Sequence, residues 1–236
     1  GSDPEVTQGM PVVHPRLAPR RGAARATTWW GKAWVRAVEE AGFTETDLRT
    51  ARTLARSGTV GGITLAVGSA VASVEDDRDL WTVSIGVPVL EANAAEALVE
   101  VVGAEAGRIG ALLAGDLPHS LVEHAEESGV ELLPYGGEFE ASCTCDGWLD
   151  PCPHALAVLY QLTWLLEADP FVLLLLRGQA RDDLLARLHS RVDSGDRGAD
   201  DRDGATLDAA SEAVLRAARV LELLEADDGR PIDHLF

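Results

Sequence analysis

Three cysteines and one histidine constrain this chain more than any other feature. They read Cys143-x-Cys145, six residues, then Cys152-x-His154, and they include every cysteine in the sequence. Three thiolates and one imidazole make the donor set of a closed, tetrahedral structural zinc site. In an extended segment residues i and i+2 point to the same side, so Cys143 and Cys145 can face one ion. Asp146-Gly147 and Asp150-Pro151 supply turn chemistry between the two halves. Pro153 suits the first position of a helix, where its missing N–H costs nothing. Cys152 then flanks the helix and His154 lies in its first turn, where the dipole favours thiolates.

Other readings of the four residues fit less well. A disulfide between Cys143 and Cys145 is poorly placed and leaves an odd thiol. An open catalytic zinc keeps a water position and usually a carboxylate base. Asp146 and Asp150 are close, but four protein ligands already complete the shell. The metal residues are therefore Cys143, Cys145, Cys152 and His154, holding one structural Zn²⁺. No residue is assigned a catalytic or other cofactor-binding role.

The finger and the apolar helix after it resemble the SWIM-type zinc finger. Two further blocks widen the resemblance. Thr28-Trp29-Trp30-Gly31-Lys32-Ala33-Trp34 resembles the T-W-W-G-x-x-W opening of bacterial SWIM proteins often found with Snf-type helicase-like ATPases. Asp169-Pro170-Phe171-Val172-Leu173 with Leu176-Arg177-Gly178 resembles the block that follows the finger in those proteins. The resemblance spans roughly residues 27 to 190, and it implies a helicase-like ATPase as protein partner.

Periodicity supplies the rest. Trp29 to Ala41 reads as a helix with Trp30, Trp34 and Val38 on one face, a core stripe rather than a base-stacking platform. Glu45 to Ser57, capped by Thr44, reads as a second. Alternating apolar residues predict a three-stranded antiparallel meander at about 59–67, 70–75 and 80–87. Glu91 to Leu113 reads as one long helix and Pro118 to Glu127 as a short one. Glu131–Leu133 and Glu138–Ser142 are expected to form the hairpin that delivers Cys143. The helix from Pro153 to about Glu167 has almost no polar face, so it must be buried on several sides. The expected fold class is α+β: a three-stranded antiparallel sheet with helices, then a ββα zinc finger and a C-terminal helical segment.

The expected divisions are a flexible basic leader over 1–26, an α+β domain over 27–128 and the finger with its following helices over 129–192. An acidic linker over 193–207 and a C-terminal helix and tail over 208–236 complete the chain. Residues before Met10 look like an expression scar, with Met10 as the native start. No signal peptide or membrane span is visible, which suits the cytoplasm, where thiols stay reduced.

The net charge of −19 argues against a broad nucleic-acid surface. Yet Pro11 to Arg36 carries six basic residues and no acid. That region can fold back on the acidic body or contact phosphates. No phosphate loop, nucleophile elbow or H-E-x-x-H helix is present, so the chain is read as non-enzymatic. The leading expectation is a zinc-stabilised adaptor for a protein partner. The alternatives are a nucleic-acid-binding module using the basic N-terminal region, and a regulatory subunit whose acids mimic DNA.

Overall fold

A computed structural model of the chain describes residues 10–21 and 26–191. The chain divides into two units at Ala186, and the fold below is that of the first. The expected linker at 193–207 and helix at 208–236 lie outside the described residues.

The composition is α+β, but the expected three-stranded sheet is corrected. The sheet has five antiparallel strands in sequential order. They are β1 (Val12–His14), β2 (Val60–Ala66), β3 (Ser69–Asp76), β4 (Asp79–Gly86) and β5 (Glu140–Cys143). The three central strands follow the alternation in the sequence: Ile63, Leu65, Ala72, Val74, Val83 and Ile85 are all buried. The two edge strands have three and four residues. Strand β1 is too short to show a period of two and was not expected, whereas β5 overlaps the strand expected at Glu138–Ser142. Glu131–Leu133 forms no strand. The partner of β5 is β4, with Val83 opposite Cys143 and Ile85 opposite Ala141. The finger is therefore not a separate ββα unit; its strand is the edge of the main sheet.

The helices are α1 (Trp29–Ala41), α2 (Glu45–Ser57), α3 (Ala92–Gly103), α4 (Ala106–Leu113), α5 (His119–Glu127), α6 (Pro153–Ala168) and α7 (Phe171–Leu176). The single helix expected over 91–113 is two, because Ala104 and Glu105 interrupt it and Glu105 has an extended backbone. Residues 181–191 are helical.

Helix α6 is the centre. Every residue from Ala155 to Leu166 is buried. It packs against α1 and α2 on one side and against β3 and β4 on the other. The tryptophan block anchors α1 to it. Trp34 Nε1 donates to the Leu159 carbonyl and Trp30 Nε1 to the Leu166 carbonyl, each at 3.0 Å. Trp29 Nε1 donates to the Leu117 carbonyl at 2.9 Å. Glu167 closes the start of α1: its Oε1 accepts from both backbone N–H groups and both hydroxyls of Thr27 and Thr28. A carboxylate there also complements the helix dipole. Gly31 is the residue that permits this approach, since a Cβ would land on the Glu167 side chain.

The block after α6 is equally structural. Gly178 (φ +91°) ends α7, with its N–H bonded to Leu175 and that of Gln179 to Leu174, a Schellman closure. Arg177 is buried and donates to the carbonyls of Pro88, at 2.5 Å, and Glu131, at 2.7 Å. It thereby ties α7 to the two loops flanking α3–α5.

Candidate metal centre

Each ligand is delivered by an element whose position is fixed independently. Cys143 ends β5. Thr144 then prolongs the pairing with β4: its N–H donates to the Thr82 carbonyl at 3.0 Å, and its hydroxyl accepts from the Thr82 N–H at 2.9 Å. With Thr144 held to the sheet, Cys145 falls on the same side as Cys143. Gly147 begins the return close to Cys145, where a Cβ would come within 3.3 Å of the sulfur. Cys152 is the N-cap of α6, Pro153 follows at the first helical position, and His154 is in the first turn.

The four sequence-assigned ligands converge. The three Sγ atoms and one histidine nitrogen lie within 4.8 Å of one another. His154 Nδ1 is 3.8 Å from the sulfurs of both Cys143 and Cys152. A tetrahedral zinc with ordinary bond lengths separates its donors by about 3.5–3.8 Å. The donor set and the spacing are thus compatible with a single Zn²⁺. Cys152 is buried and the other two cysteines are partly so, and all three are free thiols.

Sequence reading missed one functional residue, Asp76. Its Oδ2 sits 3.1 Å from His154 Nε2. A carboxylate on Nε2 holds the proton there and leaves the Nδ1 lone pair facing the sulfurs, the tautomer that metal ligation requires. Asp76 ends β3, in the acidic turn that the sequence marks only as a connection. No local signal links it to a histidine 78 residues away. Trp81, on the other arm of that hairpin, has its ring 6.0 Å from the His154 ring.

Without metal the site holds protons unevenly. Burial pushes the Cys143 thiol up to about 12. Burial also acts to raise Cys152, but the hydrogen bond to His154 and the Ala155 N–H outweigh it and bring it down to about 7. His154 is raised to about 9, first by Cys152 and further by Cys145 and Asp76, against its own burial. Cys152 and His154 are thus drawn toward a thiolate–imidazolium pair.

The other histidines of this region lie elsewhere. His119 pairs with Glu123 at 3.1 Å, and His124 Nδ1 is 3.0 Å from Arg108. The loop between the second and third ligands carries Trp148, 89% exposed.

The SWIM zinc finger family matches residues 127–162, the stretch from the end of α5 into α6. A SWIM zinc finger is a non-catalytic structural motif. The chain is also similar to the uncharacterized protein Rv2102 of Mycobacterium tuberculosis, with 30% identity over 170 residues. That match covers 71% of this chain and 61% of the relative, so the chain spans about three fifths of the relative's length. No solved structure matches. Neither comparison links the chain to a Snf-type ATPase. Among the described residues no helix is long and apolar enough to cross a membrane.

Proposed function

We propose that this chain is a non-enzymatic adaptor whose zinc finger presents a rigid docking loop to a protein partner in the cytoplasm. The observation that carries the reading is Trp148. An indole 89% exposed is a large apolar surface to leave in water. It sits in a loop whose two ends are metal ligands, so zinc would fix its conformation before any encounter. Tryptophan is enriched among the residues that dominate binding energy at interfaces, and a rigid anchor loses little entropy on docking. Asp146 and Asp150 flank it, and the chain's −19 charge favours a partner with a basic face. The partner inferred from the resemblance of the tryptophan, finger and D-P-F blocks is a Snf-type helicase-like ATPase.

The test is affinity capture on the full-length, zinc-loaded protein from its native cell, with Trp148→Ala and a chelator-treated sample in parallel. The expected result is a Snf-type ATPase retained by the wild type and depleted at least about tenfold with Trp148→Ala, the loss of an anchor worth about 2 kcal/mol. Undiminished capture by Trp148→Ala removes the docking loop from the account. Capture of no ATPase removes the partner.

A further inference from the structure

A second site lies away from the finger. A cleft of about 720 Å³ opens between α1 and α2, with α6 as its floor. Lys32 and Arg36 line it from α1, Arg52 and Arg56 from α2, and Tyr160 and Trp164 from below. Arg20 joins them: its guanidinium stands 4.2 Å over the Trp164 ring, and its backbone N–H bonds the Arg56 carbonyl at 2.9 Å. The chain has 39 acidic residues against 20 basic. Among the described residues, Glu39 is the one acid in this lining. The sign of the charge is locally inverted.

The ion pairs among the described residues leave Lys32 and Arg36 out. Glu39 is taken by Arg52 at 3.2 Å, and Arg52 also holds Glu45 at 3.0 Å. Arg52 is therefore satisfied by protein carboxylates. Lys32 and Arg36 are exposed and have no ion-pair partner among the described residues. They stand four residues apart on one helix face, an arrangement that repels by a few tenths of a kcal/mol in isolation. Arg52 and Arg56 repeat the spacing on the facing helix. A concave, low-dielectric floor beneath such residues focuses their field rather than dissipating it. The volume is in the range of sites that enclose a small ligand.

The geometry points to this cleft as a binding site for a phosphate-bearing ligand of nucleotide size, with Lys32 and Arg36 making the principal phosphate contacts. The ligand is either a mononucleotide or one unit of a single-stranded nucleic-acid backbone, which share that chemistry. Tyr160 and Trp164 are mostly covered, so charge and not ring stacking supplies the recognition. The site is separate from the docking loop and stands whether or not that loop binds a partner.

The experiment uses full-length, zinc-loaded protein and two probes: a fluorescent ten-residue deoxythymidine oligonucleotide, read by anisotropy, and AMP, read by calorimetry, both at about 50 mM salt. Binding of either probe, lost with Lys32→Glu and with Arg36→Glu, supports the site. Oligonucleotide alone identifies a strand as the source; AMP alone identifies a free nucleotide. Each reversal is expected to weaken binding at least about tenfold, the loss of one charge-assisted contact. For the oligonucleotide it should also lower the salt slope by about one. Arg78→Glu, in the β3–β4 turn, makes the same change in net charge and is expected to leave binding intact. Three results overturn the proposal. They are no binding of either probe by the wild type, equal weakening by Arg78→Glu, and displacement of the probe by a polyglutamate peptide as readily as by phosphate ligands.

Discussion

At the scale of single residues, the contact that most repays attention is Asp76 with His154. A ligand histidine left to itself can rotate and exchange tautomers; one held through Nε2 presents Nδ1 to the metal ready-made. Outer-sphere partners of this kind typically contribute 10–100-fold in metal affinity. Asp76→Asn is accordingly expected to weaken zinc binding by about that factor, measured by competition with a chromophoric chelator, while circular dichroism stays unchanged. Proton counting gives a second test. Near pH 7.4, Cys143, held near 12, and His154, held near 9, both carry protons that zinc must displace. Cys152, near 7, has largely lost its own. Cys145 must also bind as a thiolate, so zinc added to metal-free protein in weak buffer should release at least these two protons. Apparent affinity should therefore rise as pH is raised from 6 to 8 and fall as it is lowered. The four ligands were legible because metal chemistry dictates residue type and short spacing. Asp76 was not, because an aspartate in an acidic turn is ordinary until the fold sets it beside an imidazole.

Among the elements, the sheet divides into a part the sequence announces and a part it hides. Strands β2 and β3 bury alternate side chains along most of their seven and eight residues, and β4 does so over its second half, at Val83 and Ile85, and that alternation is readable. Strand β1 was hidden, and for β5, expected at Glu138–Ser142, the hidden part was its partner, β4. Val12–His14 is placed by its pairing with Ile63–Leu65, and Glu140–Cys143 by β4 and the metal site. Helix α6, apolar on every side, advertised its own burial. The break between α3 and α4 was concealed because apolar residues continue across Ala104 and Glu105. One consequence can be measured. Strand β5 is held by β4 on one side and by Cys143 at its end. Stripping zinc should release it before anything else. Hydrogen exchange on chelator-treated protein is expected to show loss of protection at Glu140–Cys143 and at the first turn of α6, with β2 and β3 unchanged. Uniform loss across the sheet would mean that the metal supports the whole fold rather than its edge.

Over the whole molecule the dominant quantity is charge. A net −19 stores self-repulsion that opposes the compact state. Surface ion pairs such as Arg16–Glu75, at 3.9 Å, offset little of it. Screening should therefore stabilise the protein: raising salt from about 10 mM to 0.3 M shortens the Debye length from about 30 Å to below 10 Å. The melting temperature of the zinc-loaded form is expected to rise by several degrees, and a fall would show that specific pairs outweigh the net field. Nucleic-acid contact looked unfavourable from the same total, because a sum over the chain hides where charges collect. Arg20, Lys32, Arg36, Arg52 and Arg56 are scattered over 37 residues of sequence, and only the packing of α1 and α2 on α6 brings them round one cleft.

The central position of α6 also sets an order of events during synthesis. Helices α1 and α2 and strands β2, β3 and β4, all apolar on one side, leave the ribosome before a helix more than sixty residues further on that they must pack against. At about 5–20 residues per second that interval lasts for several seconds. Through it, the tryptophans of α1 have no carbonyls of α6 to bond, and the imidazole that Asp76 will orient has not yet been made. The nascent protein must carry its unfinished core in the open, in the care of whatever shields it, until residues 143–168 arrive with both the metal ligands and the helix that completes the interior.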